Sequence, residues 1–382
     1  MKTTKLPLLL LSFLSIHYAQ AQEDADATGI TLSGSVDAYF RTNLTAPNNG
    51  DYVQAPGTSF ADLPGFALGM ANVVAAYQGE NVGFVADLVF GPRGADAVFL
   101  STGSANIINQ LYMYWRPGDQ LTFTIGNFNT YLGYEVISPT GNFNYSTSYM
   151  FSSGPFSHTG LKADLELTEN WSLMASVMNP TDFTDFNPLG TYTAGLQLGF
   201  ENDNGGTWLN FLYGDQDGRL DEDQGLVTGA ASAGRTFQVD LTTGYNATEV
   251  LYLGLNATYL TTSTGELYNG STIVDAAEDA AGFYGVAGYA QATTSEKFAL
   301  GIRTEYFNVF NDGGSAITTD PASGDGDVLA FTLSGNIKPA KNFILIPELR
   351  LDTASEKSNF INRSLNPSKN LTSFLLAAVF SF

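Results

Sequence analysis

Chemistry on this chain would have to come from few side chains. There is no cysteine, and beyond residue 21 the only histidine is His158. Disulfides, thiolate nucleophiles and thiolate metal sites are therefore excluded, and no histidine pair is present to hold zinc. His158 lies between Ser157 and Thr159, hydroxyls that a histidine base would activate. The segment reads as a strand, so adjacent residues face opposite sides, and the same-face i+2 position is Gly160. No Gly-x-Ser-x-Gly turn occurs. His158 is expected as a hydrogen-bonded residue at the base of a loop. Asp164 and Glu166 share a face, but such a pair is ordinary on any polar interior and is weak evidence for glycosidase chemistry. The sequence points to no enzyme and calls for no cofactor.

Another kind of chemistry is a fixed electrostatic field. Acidic residues Asp37, Asp87, Asp164, Glu166, Asp240, Glu305, Glu348 and Asp352 fall on the polar face of alternating segments. So do the basic residues Arg41, Lys162, Arg303 and Arg350. Carboxylates around a lumen favour cations. Screening over about 8 Å at physiological salt would keep that preference mild. The same residues, Lys162, Asp164, Arg303, Glu305 and Arg350 among them, could equally brace a wall as ion pairs.

The elements that position these charges alternate with period two. Ile30, Leu32, Val36, Ala38 and Phe40 oppose Thr31, Ser33, Ser35, Asp37 and Arg41. Leu161, Ala163, Leu165 and Leu167 oppose Lys162, Asp164 and Glu166; Phe237, Val239 and Leu241 oppose Gln238, Asp240 and Thr242. Phe298, Leu300 and Ile302 oppose Arg303 and Glu305, and Leu345, Leu349 and Leu351 oppose Glu348, Arg350 and Asp352. Such alternation gives each strand two environments. The segments around 65–90 and 281–295 alternate poorly, with Val73, Val74, Ala75 and Ala76 consecutive. Pro347 inside the fifteenth segment predicts a bulge or a broken strand.

Sixteen such segments are legible between residues 30 and 382, and their connections alternate long and short. Short polar turns fall at 78–80, 117–119, 168–170, 202–206, 246–249, 293–296 and 338–341. Long loops span 42–63, 91–106, 127–157, 179–190, 214–234, 261–280, 311–326 and 353–370. The segments exceed the five or six residues usual in soluble sheets, and aromatics gather near their ends. This predicts an all-β fold, a transmembrane antiparallel β-barrel of about sixteen strands with short periplasmic turns and long extracellular loops. Barrels of sixteen strands leave an aqueous channel, whereas about eight fill with their own side chains. The expected function is passive diffusion of small hydrophilic solutes or ions, mildly cation-preferring. The competing expectation is a non-conducting barrel that binds or adheres through its outer loops.

Composition agrees. Charged residues are only 14%, aromatics 13%, and no helical span is long and apolar enough to cross a membrane. Lys2 and Lys5 precede the apolar run Leu6–Ile16, and Ala19-Gln20-Ala21 supplies small residues for cleavage. Residues 1–21 are thus expected as an export signal and 22–29 as a short periplasmic segment before the barrel at 30–382. Without Lys2 and Lys5, 14 bases face 38 acids, a net charge of −24, which argues against nucleic-acid binding. Much of the acid lies in loops, as in Asp215–Asp223 and Asp275–Asp279, where solvated surface is the expectation ahead of cation binding.

The longest loop, 127–157, is rich in Tyr, Phe, Gly, Ser and Asn and carries little charge beyond Glu135. A loop of that length and composition is expected to be ordered and functional. It is the candidate constriction, either inside the lumen or across its rim, with Tyr134, Glu135, Asn144, Tyr145 and His158 as its candidate site residues. Gly133-Tyr134-Glu135, Ser138-Pro139, Asn144-Tyr145-Ser146 and Gly154-Pro155-Phe156-x-His158-Thr159-Gly160 resemble the OmpL-like outer-membrane β-barrel porin family of Bacteroidota and related bacteria. The resemblance implies a pore, outer-membrane lipids and lipopolysaccharide as surroundings, and no named solute. By resemblance also, the closing strand with Phe374, Leu376, Ala378, Phe380 and terminal Phe382 on one face is the signature read by the barrel-assembly machinery. Homo-oligomerisation stays open, because sixteen-stranded porins are commonly trimeric yet no self-association patch is legible.

Overall fold

The computed structural model describes residues 29–216, 220–221, 225–226, 232–263, 266–268, 273–275 and 280–382. The expected export signal and residues 22–28 lie outside these, as do Asp217, Glu222, Asp223, Glu278 and Asp279 of the acidic loop runs.

Sixteen strands form one closed barrel. In chain order they are β1 (Ile30–Asn43), β2 (Gly65–Gln78), β3 (Val82–Phe90), β4 (Ile108–Gly118), β5 (Leu121–Asn129), β6 (Ser157–Glu166), β7 (Trp171–Met178) and β8 (Thr193–Asn202). There follow β9 (Gly205–Asp215), β10 (Arg235–Asn246), β11 (Leu251–Thr262), β12 (Ala281–Ser295), β13 (Phe298–Phe310), β14 (Gly326–Ala340), β15 (Phe343–Ala354) and β16 (Asn370–Ser381). Every neighbour pair is antiparallel, and β16 closes on β1 through pairs running from Ser35–Ser381 to Asn43–Ser373. The Gly34 and Phe382 backbones exchange hydrogen bonds of 3.1 and 3.0 Å at that seam. A closed sheet leaves no free edge, so backbone groups along the wall find partners on both neighbouring strands.

Alternation decides which way each side chain points. Leu300, Ile302, Leu349, Leu351, Leu376 and Phe380 are exposed on the outer face. Their neighbours Arg303, Glu305, Glu348, Arg350 and Asp352 are buried inside. Aromatic pairs join neighbouring strands near their ends at Phe40–Phe66, Trp115–Phe123 and Trp171–Phe200, and Tyr259 of β11 meets Phe310 of β13 across β12, with centroids 5.0–5.9 Å apart. These outward rings sit where lipid interfaces require them.

The inward phase of the second segment changes within the strand, from Phe66 and Leu68 outward to Val73 outward, and the change has a local cause. The β1–β2 register shifts between Val36 and Ala38, and inward Asp37 accepts the Met70 N–H at 3.1 Å at that irregularity. A Cβ on Gly69 would lie 1.6 Å from the Asp37 carboxylate, so only glycine leaves room for it. Pro347 behaves otherwise than expected. β15 is one continuous strand, and the pairs Ser334–Glu348 and Ile337–Leu345 keep one register across it. The shift on that side falls between Ile337 and Ala340 instead. Pro347 is accommodated because its missing N–H removes one ladder bond without inserting a residue.

The barrel interior carries apolar patches among its polar groups. Phe283, Ala287, Phe307, Val309, Val328, Ala330 and Leu371 point inward from β12, β13, β14 and β16 and pack with loop residues Tyr149 and Met150. Ile346, Leu375, Ala377 and Val379 pack with Tyr39 and Tyr145. β16 is therefore covered on both faces, which is why it reads as a nearly unbroken apolar run.

Candidate functional site: the loop inside the barrel

Loop 127–157 runs inside the barrel, and its course can be followed by the inward wall groups it bonds. Tyr131 donates its hydroxyl to the Phe211 carbonyl on β9 at 2.7 Å. Gly133 N–H then reaches Asp240 on β10 at 2.9 Å, and the Tyr134 hydroxyl meets that of Tyr252 on β11 at 2.9 Å. Tyr134 also stacks on Tyr289 of β12, with centroids 4.1 Å apart. Glu135 pairs with Arg303 of β13. Asn144 donates to Ser334 of β14 at 2.7 Å, and Tyr145 N–H to Glu348 of β15 at 3.0 Å. The Tyr145 hydroxyl donates to Asp37 of β1. Burial holds that phenol well above its ordinary range, so it stays a donor.

Each anchor satisfies a group that would otherwise be costly to bury. Arg303, fully buried, donates to Glu135, to the Ser146 carbonyl at 2.8 Å and to the Thr332 hydroxyl at 3.1 Å. Glu135 uses its other oxygen to accept the Ser148 N–H at 2.6 Å. Glu305 accepts two successive loop N–H groups, from Tyr149 at 2.9 Å and Met150 at 2.8 Å. Those residues open a short helix, α1 (Tyr149–Ser153), whose cap Ser148 accepts the Phe151 N–H at 3.1 Å. A carboxylate facing the free N–H groups of a first turn is favourable. Arg350 binds Asp352 through Nε at 3.0 Å and the Thr147 carbonyl through Nη1 at 2.8 Å.

Two outer loops clamp this loop from the side. Arg93, from the loop after β3, donates to the carbonyls of Ile137 at 3.1 Å and Tyr145 at 2.9 Å. Its guanidinium lies 4.7 and 4.5 Å from the Phe60 and Tyr145 ring centroids. Arg41 holds the loop after β1 through the carbonyls of Gln54 and Asp62, at 3.0 and 3.2 Å. His158 lies at the base, fully buried, with Nε2 2.9 Å from the Thr130 hydroxyl and its ring beside Tyr131. Asp182, in the loop after β7, accepts the Phe156 and Ser157 N–H groups at 2.7 and 3.0 Å, and burial pushes its carboxyl up to about 6.

All twelve charged candidates point inward, but the structure divides them; Asp87 is buried under the Asn72 and Asn109 amides, and Asp352 is buried against Arg350. Asp37, Arg41, Arg303, Glu305, Glu348 and Arg350 meet the loop system and are buried; Asp240 is buried between Asn210 and Asn256, whose amides donate at 2.8 and 2.6 Å. Lys162, Asp164 and Glu166 stand apart on β6 and keep solvent contact, with Lys162 and Asp164 paired at 2.9 Å. Of the two roles expected for these charges, bracing dominates here, because most of them hold the loop rather than face an open passage. Arg93 carried no sequence signal, being a lone arginine in a loop. The Asn72, Asn109, Asn210 and Asn256 amides were legible only as polar positions of their strands.

A closed sixteen-stranded barrel, apolar outside and carrying an ordered loop within, is the architecture of an outer-membrane porin. The chain belongs to the family described as "Putative beta-barrel porin-2, OmpL-like", whose model matches residues 29–382. Among solved structures it is similar to the outer membrane channel DcaP of Acinetobacter baumannii, at 13% identity and TM-score 0.58, covering 92% of this chain and 97% of that one. It is also similar to the anion-selective porin from Comamonas acidovorans, at 11% identity and TM-score 0.57, covering 93% and 99%. The trimer form of OmpT, an outer membrane protein of Vibrio cholerae, matches at 13% identity and TM-score 0.56, covering 94% and 100%. At such identities these similarities establish the fold alone. No curated protein matches the chain.

Proposed function

We propose that this protein is a passive, non-enzymatic diffusion channel for small hydrophilic solutes or ions, narrowed by loop 127–157. It would reach the outer membrane through the export signal at 1–21, with Phe382 presented to the assembly machinery and the outer face meeting lipids and lipopolysaccharide. The observation that carries the reading is the series of loop anchors from Asp240 to Asp37 inside a closed sixteen-stranded wall. A loop fixed at so many points narrows a passage rather than drifting across its mouth. A mild cation preference is supported by the charges that keep solvent contact, Asp164 and Glu166 against Lys162. Self-association is supported only by analogy with the trimeric neighbour.

The test is conductance of the purified protein in a planar bilayer under a salt gradient. Discrete openings with a reversal potential of cationic sign are expected, and deletion of residues 136–153 should raise the unit conductance. A folded barrel that inserts and stays silent would refute the channel. It would favour the binding barrel acting through its outer loops, a reading supported by the complete burial of Tyr145, Tyr149 and Arg303 between loop and wall.

A further inference from the structure

The inner wall carries glycines in register, and each is roofed by an aromatic ring. Gly206 of β9 pairs with Gly244 of β10, and Gly244 pairs with Gly254 of β11, so the three form one row across neighbouring strands. Gly254 pairs in turn with Tyr289 of β12. A Cβ on Gly206 would meet the Trp208 ring at 2.4 Å, one on Gly244 the Tyr252 ring at 2.7 Å, and one on Gly254 the Tyr134 ring at 2.9 Å. Gly199, opposite Trp208 on β8, lies under the same indole at 2.9 Å. The glycines remove the side chains that would otherwise hold these rings away from the wall. Trp208, Tyr252 and Tyr134 can therefore lie low against it, and all three keep solvent contact. The Tyr134–Tyr252 hydroxyl contact and the Tyr134–Tyr289 stack join the tyrosines, and the pairing of Gly206 with Gly244 sets the glycine under Trp208 next to the one under Tyr252. Register places Trp208 and Tyr252 at the short-turn ends of β9 and β11.

We infer that Trp208, Tyr252 and Tyr134 form a stacking floor in the lumen for the ring faces of saccharides. The inference rests on the channel reading and names its solute class. A pyranose ring has an apolar C–H face and a hydroxylated rim, so an aromatic surface with phenol hydroxyls at its edge matches both parts. The floor differs in kind from the loop anchors around Arg303, where aromatic rings such as Tyr149 are wholly buried and offer no free face.

The test uses the full-length barrel and two probes of similar size, maltotriose and a flexible polyethylene glycol. In bilayers, maltotriose is expected to interrupt the potassium chloride current in a concentration-dependent way, and the glycol is not. Trp208→Ala should weaken the maltotriose effect by about tenfold, and Trp208→Phe should restore most of it. Emission supplies a second readout that needs no current. The chain has three tryptophans, and Trp115 and Trp171 face outward, so a W115F/W171F variant reports Trp208 alone. Maltotriose should shift that emission in detergent. No current in salt would refute the channel, while the emission shift would still uphold the floor. Normal current with equal effects of both probes, or with no emission change, would overturn the floor and leave the channel standing.

Discussion

Replacing Glu135 by Gln should free the loop that the barrel encloses. Glu135 serves two donors with its two oxygens, Arg303 through one and the Ser148 N–H at 2.6 Å through the other. Glutamine has one carbonyl, so its amide would confront one of those donors with another, and Arg303 would lose its countercharge at a site closed to water. Removing one partner of a buried ion pair costs about 3–5 kcal/mol. Charged against loop docking, that raises the undocked population by about a hundredfold to several thousandfold. Single-channel recording should show larger or noisier openings, and limited proteolysis should cut within 136–153. Because the pair is buried, the effect should persist in 1 M salt. A double replacement, E135L/R303M, removes both charges and should recover much of the lost docking, giving a large coupling in a double-mutant cycle. Unchanged conductance, noise and proteolysis in E135Q would refute the assignment of this pair as the latch.

Other consequences are testable individually. Ser148→Ala removes the cap of the short loop helix and should cost about 1 kcal/mol of loop stability, read by hydrogen exchange at Phe151. The Asp182 carboxyl is pushed from 3.8 to about 6 by burial, so its charge costs stability above pH 6 and the cost fades as pH falls toward 4. Asp182→Asn, which also suits the φ of 67° there, should remove that trend; the gain at pH 7 is at most about 3 kcal/mol, less for the solvent contact Asp182 retains, measured by urea unfolding at both pH values. Gly69→Ala would drive a methyl into Asp37 and should lower the melting temperature, with Gly65→Ala on the same strand as a control where a Cβ meets nothing but φ is 74°. Lys162→Gln frees Asp164 and should move the reversal potential toward cations at low salt, with the change shrinking at 1 M.

The sequence disclosed strand count and inward phase because one lipid-facing and one interior-facing residue alternate along most of the wall. The tenth strand, with Gln238, Asp240 and Thr242 inward, follows that pattern throughout. The pattern failed where its premise failed. It takes the interior to be polar, yet Leu375, Ala377 and Val379 point inward against the loop, and no periodicity separates them from lipid-facing neighbours. The irregularity at Asp37 and Gly69 shifts phase within one strand, which a strict two-residue repeat cannot register. The interior loop was legible as long, aromatic and poor in charge. Its contacts were not, because its partners, from Asp37 to Asp352, lie on strands remote in sequence and are joined only when the barrel closes.

That remoteness orders events in time. Tyr145 is bonded to a group 203 positions further along the chain, and Arg350 reaches back 292 positions to Thr58. Neither contact can form until the chain as far as β15 is in place. Contacts spanning so much chain come late, after the entropy of closure has been met by strand pairing. Until β13 is in place Arg303 and Glu305 have no loop to meet, so on this order they stay solvated until the loop seats. On this order, a chain halted before the loop seats would already be a finished wall with its passage still wide.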